Sequence, residues 1–145
     1  MNLTQRPPRS PRVRLGGYVI LPRMLDKCRA VLAGTAGEYH YACPLDQRFL
    51  TFTGTDAEAL KAEVAKGLGD GELLAWVTAH AAHPREAWEI AQWSAFVAAN
   101  VPSDNESRAY LNEQLVANGA AGREDVSTWF DNLDLDDYVS FGGKA

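Results

Sequence analysis

The sequence predicts an all-α fold: a single compact bundle of about six helices, with an extended basic N-terminal arm and a short irregular C-terminal tail. Three observations carry this. Apolar residues recur at i, i+3, i+4 and i+7 in successive segments, glycine or proline punctuates most segment boundaries, and alternating strand patterns are scarce, Gly37–Ala42 being one marginal case. The chain has 145 residues, enough for one helical domain (residues 15–145) behind the arm (residues 1–14).

Taken in order, residues 1–14 combine Pro7, Pro8 and Pro11 with Arg6, Arg9, Arg12 and Arg14, which reads as extended chain rather than a packed element. The first helix is expected from Pro22 to Ala33. Met24, Leu25, Cys28, Val31 and Leu32 form its apolar face, and Gly34 stops it. Tyr18 and Leu21 extend that face toward Gly17, in which case Pro22 bends the helix. A short helix follows over Pro44–Thr53, with proline first and Gly54 after the end. Thr55 and Glu58 form a capping box before a helix over Asp56–Lys66. Glycines at 67, 69 and 71 separate it from a helix over Glu72–Ala81, which stops before Pro84.

Pro84–Asn100 stands out on a helical wheel. Trp88, Ile90, Trp93, Phe96, Val97 and five alanines leave only a narrow polar stripe of Arg85, Glu89 and Gln92, so this segment is expected to be the buried central helix. Ser103 and Glu106 signal the start of a helix over Asp104–Asn118. The last helix is expected from Asp125 to about Leu133, stacking Val126, Trp129, Phe130 and Leu133, with Tyr138–Phe141 packed as an extended strand.

Composition narrows the function classes. A net charge of −5 argues against nucleic acid as a general partner, because phosphate binding needs a positive field. No run is long enough to span a bilayer, which argues against a membrane partner, and Tyr18–Leu21 is too short for a signal-peptide core. Two cysteines are too few for a disulfide framework, so a reducing, cytoplasmic setting is expected. Charge is also polarised: residues 1–25 hold five arginines and no acid, whereas residues 124–137 hold six acids and no base. Attraction between the two ends, within a subunit or across a homodimer, competes with two separately solvated segments.

The densest chemistry lies in the connector Thr35–Asp46, TAGEYHYACPLD. Connectors present side chains that helices spend on packing. Cys43 precedes Pro44 at the start of a helix, where free N–H groups stabilise an anion, and His40 three residues earlier could serve as its base. Asp26 and Lys27 lie on the polar side of the first helix with Arg23. Facing the connector, they would combine with Glu38, Tyr39, Tyr41 and Asp46 into a pocket suited to acid–base work or to a small anionic ligand. The competing account is a solvated helix face beside an ordinary turn.

Other constellations are weaker. Cys28, His40 and Cys43 with His80 or His83 supply enough zinc ligands, but at no recognised spacing. Asp131, Asp134, Asp136 and Asp137 suggest a divalent cation, yet a calcium loop begun at Asn132 puts Asp137 where glycine is needed. No phosphate-cradling glycine motif or serine nucleophile elbow is present, and no metal or cofactor is assigned.

The motifs LGGY at Leu15–Tyr18, DKCRA at Asp26–Ala30, GEYHY at Gly37–Tyr41, CPLD at Cys43–Asp46, TWFD at Thr128–Asp131 and DLDDYVSFGG at Asp134–Gly143 carry a resemblance. In their order the chain resembles a bacterial family catalogued as domain of unknown function 5069. That resemblance implies one complete, free-standing intracellular domain and, since the family has no assigned reaction, no residue roles. The resulting reading is a cytoplasmic small-ligand-binding or interaction module. Its rivals are a small enzyme using Cys43 or an Asp26–Lys27–Tyr39–His40 group, and a structural partner presenting Trp129 and Phe130 on an exposed apolar patch.

Overall fold

Seven helices, and no strand, make up the computed structural model, which describes residues 1–145. They are α1 (Leu21–Leu32), α2 (Pro44–Thr53), α3 (Ala57–Val64), α4 (Asp70–His80), α5 (Ala87–Ala98), α6 (Asn105–Ala117) and α7 (Trp129–Ser140). No helix is long and apolar enough to cross a membrane.

The main core is built on α1. Ile20, Leu21, Met24, Leu25 and Cys28 meet Phe49 and Leu50 of α2, Leu60 and Val64 of α3, Leu73 and Val77 of α4, and Phe130 of α7. A smaller core of Leu111, Leu115, Ala120, Val126 and Leu135 lies around α6 and α7. An aromatic cluster seals one side of the main core: Tyr18 meets Phe49 edge-on, and Phe52 stacks on Trp93 at 4.7 Å.

The entry to α1 is set by two tight turns. Gly16 and Gly17 both have positive φ (58° and 85°) and close a two-residue turn in which Leu15 and Tyr18 exchange backbone hydrogen bonds. Left-handed conformation at both positions favours glycine. Packing adds to that requirement, since a Cβ at Gly16 would sit 2.6 Å from Leu74. Ile20 then adopts φ 70° and ψ −43°, with Leu21 N–H donating to Val19 O, a γ-turn that strains a β-branched residue. The strain is retained because Ile20 is wholly buried and its N–H is taken by Pro11 O.

Several expectations are corrected. The arm has no helix or strand but is packed: Leu3, Pro8 and Pro11 are buried, and Arg9 reaches Asp26 and Asp70. Gly37–Ala42 is not a strand. Tyr138–Phe141 is not extended either, because α7 starts later than expected and runs through Tyr138 to Ser140. The caps shift by one residue: Asp56 rather than Thr55 caps α3, and Asp104 with Ser107 caps α6. The largest correction concerns α5. It docks through Ile90, Trp93, Ser94 and Val97, one ordinary stripe, and leaves Trp88 63% and Phe96 69% exposed. Alanine at the outward positions reflects helix propensity, which a wheel cannot tell from burial. The buried, central helix is α1.

Candidate functional site

Positions 23 and 27 of α1 lie one turn apart on the same face, and that face meets the connector and α7. Arg23 is buried and pairs with Asp137, at 2.6 Å through one nitrogen and 3.1 Å through the other. Tyr39 donates its hydroxyl to the same carboxylate at 2.7 Å, and its ring lies beneath the Arg23 guanidinium. Burial, reinforced by Asp137, pushes the Tyr39 phenol well above its ordinary range, so it stays a neutral donor.

Lys27 is also buried, and its ammonium lies 2.8 Å from Asp46 Oδ1 and 3.1 Å from Cys43 Sγ. Asp46 is wholly buried. Desolvation raises its pKa while Lys27 opposes that rise, and the two meet as an ion pair without the alignment of a hydrogen bond. Cys43 is the N-cap of α2. Ala42 before it holds φ 58°, a left-handed turn that costs a non-glycine residue energy and sets where the thiol emerges.

Between α1, the connector and α7 lies a cleft of about 500 Å³. Of the residues expected at the site, Lys27, Glu38, Tyr39, His40 and Cys43 line it. Asp46 lies beneath, reached through Lys27. Two expected residues are not brought there. Asp26 faces the arm, where Arg9 donates to both of its oxygens at 2.8–3.0 Å. Tyr41 turns its hydroxyl to Ala57 O at 2.7 Å, and burial raises its pKa. Arg23, which shares the polar side of α1 with Lys27, also lines it; Asp136, Ser140 and Phe141 on the walls and Asp137 behind Tyr39 were not expected there. The signal for the aspartates was the charge polarisation of the chain, which pointed to the correct helix without a register.

That polarisation is realised within one chain. Arg12 pairs with Asp131 and, at 3.4 Å, with Asp134, while Arg23 takes Asp137. Asp131, Asp134 and Asp137 are therefore spent on cations and on the Thr128 cap, and Asp136 accepts from Asn118 at 3.2 Å, rather than all four gathering for a divalent ion. No three His, Cys, Asp or Glu side chains form a group able to hold a metal ion. Cys28 is buried on the apolar side of α1, where burial pushes its thiol up to about 11, and His80 stacks on Trp76. Phe130 is buried in the main core, so it offers no exposed patch with Trp129.

Chemically, the cleft offers a thiol beside a buried ammonium, an imidazole, a neutral phenol and the free N–H groups that open α2. The chain belongs to the family described as domain of unknown function (DUF5069), whose model matches residues 5–139. None of the curated proteins matches the sequence.

Proposed function

We propose that this member of the DUF5069 family is a small-ligand-binding domain, with its ligand in the cleft between α1, the connector and α7. The observation that carries the reading is the convergence of Lys27, Tyr39, His40 and Cys43, from two separate elements, on one cavity of about 500 Å³. An anionic group on the ligand is supported by His40 and the opening N–H groups of α2. Arg23 and Lys27 add less, since Asp137 and Asp46 already neutralise them. Unpaired thiols at Cys28 and Cys43 support a reducing, cytoplasmic setting.

A second reading, a small enzyme with Cys43 as nucleophile, is favoured by one contact: the 3.1 Å approach of Lys27 Nζ to Sγ. A neighbouring cation makes a cysteine more reactive. One experiment addresses both. Iodoacetamide should label Cys43 and leave Cys28 untouched, and succinate or a simple phosphate monoester should slow that labelling saturably. Lys27→Met combined with Asp46→Leu, which leaves no buried charge behind, should slow it about tenfold. Labelling of Cys28 first would overturn the cleft assignment. Absence of protection by any small anion would remove the anionic ligand, and an unchanged rate in the double variant would remove the nucleophile.

A further inference from the structure

Lys27 of α1 and Cys43 at the start of α2 are 16 residues apart in the chain. The left-handed turn at Ala42 brings the Cys43 side chain back onto α1, where Lys27 Nζ lies 3.1 Å from Sγ. The two side chains differ in access. Cys43 is half-buried and lines the cleft, within reach of a small solute. Lys27 is only 3% exposed and is held by Asp46. The other thiol, Cys28, is wholly buried on the apolar side of α1.

Asp46 supplies a third part. It is wholly buried, its Oδ1 lies 2.8 Å from Nζ, and neither of its oxygens has an aligned hydrogen-bond donor. A carboxylate so enclosed gains by taking up a proton, because burial disfavours its charged form. It is therefore placed to accept the proton that keeps Lys27 from acting as a nucleophile. Packing alone does not call for this set of groups, since an apolar pair fills the same volume without the desolvation cost.

We propose that a peroxide drives Lys27 and Cys43 into a reversible cross-link, a sulfenamide bond between Nζ and Sγ that ties α1 to the start of α2. In the first step Sγ attacks one oxygen of hydrogen peroxide. The O–O bond breaks, the sulfur loses two electrons and becomes a sulfenic acid, and the thiol proton leaves on the second oxygen as water. In the second step the Lys27 ammonium passes a proton to Asp46, and the freed nitrogen pair attacks Sγ. The S–O bond breaks, and the hydroxide leaves as water with one of the two protons still on the nitrogen. The products are an S–N bond and a protonated Asp46, so no charge is left buried without a partner. Two equivalents of thiol reverse the reaction. The first displaces the amine, which recovers its proton from Asp46, and forms a mixed disulfide; the second frees Cys43. The cross-link withdraws the Cys43 thiol from the cleft, so the chemistry of the cleft answers to peroxide. This goes beyond the ligand reading and does not rest on it, since the reaction needs only that peroxide reach Cys43.

The test is stoichiometric hydrogen peroxide added to the full chain, followed by tryptic peptides kept unreduced. The expected product joins peptide 24–29 to peptide 30–48, uncut after Lys27 and about 2 Da lighter than the sum of the two. Iodoacetamide should no longer label Cys43 in that product, and dithiothreitol should restore both the separate peptides and the labelling. Cys28→Ala should cross-link like the native chain. In Lys27→Met combined with Asp46→Leu no joined peptide should form, and dimedone should trap the Cys43 sulfenic acid instead. Several results would overturn the proposal. One is a native chain whose Cys43 stays unreacted, takes up dimedone, or gains about 32 Da as a sulfinic acid, with no joined peptide. Another is a joined peptide that trypsin still cuts after Lys27, or that Cys28→Ala abolishes, which is a Cys28–Cys43 disulfide. A third is a joined peptide in which fragmentation places an oxygen between nitrogen and sulfur. The experiment on the native chain decides by itself, so it stands even where the double variant fails to fold. Failure of small anions to slow iodoacetamide would sink the ligand reading and leave the cross-link standing, which keeps the two failures distinct.

Discussion

Two helices of equal length, α1 and α5, invert what their sequences suggest. The α1 segment, LPRMLDKCRAVL, carries four charged residues and looks half solvated; α5, AWEIAQWSAFVA, carries one and looks buried on all sides. In the folded chain α1 is enclosed almost completely, while α5 covers the outside of the aromatic cluster. Each buried charge of α1 has an opposite partner from elsewhere: Arg23 with Asp137, Asp26 with Arg9, Lys27 with Asp46. The comparison teaches that burial of a helix is decided by whether the rest of the chain supplies partners for its polar atoms. Apolar composition alone does not decide it.

The hardest way to break that comparison is to remove one partner. Asp137→Ala leaves the Arg23 guanidinium buried and uncompensated and strips Tyr39 of its acceptor. The expected loss is about 3–5 kcal/mol in urea unfolding, enough to threaten folding of a domain this size. Replacing both members, Arg23→Met with Asp137→Leu, should recover most of that stability, since no orphaned charge remains. A double variant as unstable as Asp137→Ala would mean that the pair itself, rather than mutual compensation, holds α1 in place.

How much was legible before the structure follows from the same contrast. Helix positions were legible because periodicity and punctuation are local: Pro44–Thr53 is found with both ends as expected, and α1, α4 and α6 within a residue or two. The connector's density of chemistry was legible, and four of its expected residues line one cleft together with Lys27 of α1. What escaped was long-range. Which α1 charge faces the connector depends on a rotation that sequence spacing leaves open, so Lys27 was placed correctly and Asp26 was not. Arg23–Asp137 spans 114 residues, and no local pattern encodes it. Exposure of Trp88 escaped for the converse reason: the wheel registers polarity and not neighbours.

A milder way to sharpen the comparison is pH, because the enclosure of α1 also buries groups that ionise in alkali. Cys28, Tyr39 and Tyr41 all have pKa values raised by burial, Cys28 to about 11 from 9.0. For such groups the unfolded chain releases its protons first. Their contribution is fully present below the unfolded pKa and is lost as pH climbs toward the folded value. The melting temperature should therefore hold to about pH 9 and then fall, steepening above pH 10 as the unfolded phenols ionise. Cys28→Ala should remove the first part of that decline and leave the steeper part. At the acid end Asp70 and Asp131 behave oppositely: a hydrogen bond from Arg9 and the ion pair with Arg29 hold Asp70 down against desolvation, and bonds from Thr128 do so for Asp131. Their contribution is lost only as pH drops below about 4. A melting temperature flat from pH 8 to 11 would show that these groups reach water more freely than their surroundings imply.

The smallest expected effect tests the other half of the comparison. If α5 is held by Ile90, Trp93, Ser94 and Val97 alone, its outward aromatics contribute little to folding. Ser94 is the polar anchor, accepting from Val19 N–H at 3.2 Å and donating to Gly17 O at 2.8 Å, so α5 is tied to the turns that launch α1. Trp88→Ala together with Phe96→Ala removes two of the most exposed large apolar side chains while leaving that anchor intact. Their combined cost should stay within about 0.5 kcal/mol, because substitutions at exposed positions away from caps and packed contacts rarely cost more. Leu25→Ala, an apolar truncation on α1 at a wholly buried site, should cost about 2–5 kcal/mol by comparison. Urea midpoints at equal m-values measure both. A loss of several kcal/mol from the α5 pair would mean that its outer face is covered in solution. The helix that reads as central would then be buried by a second surface rather than by its own chain.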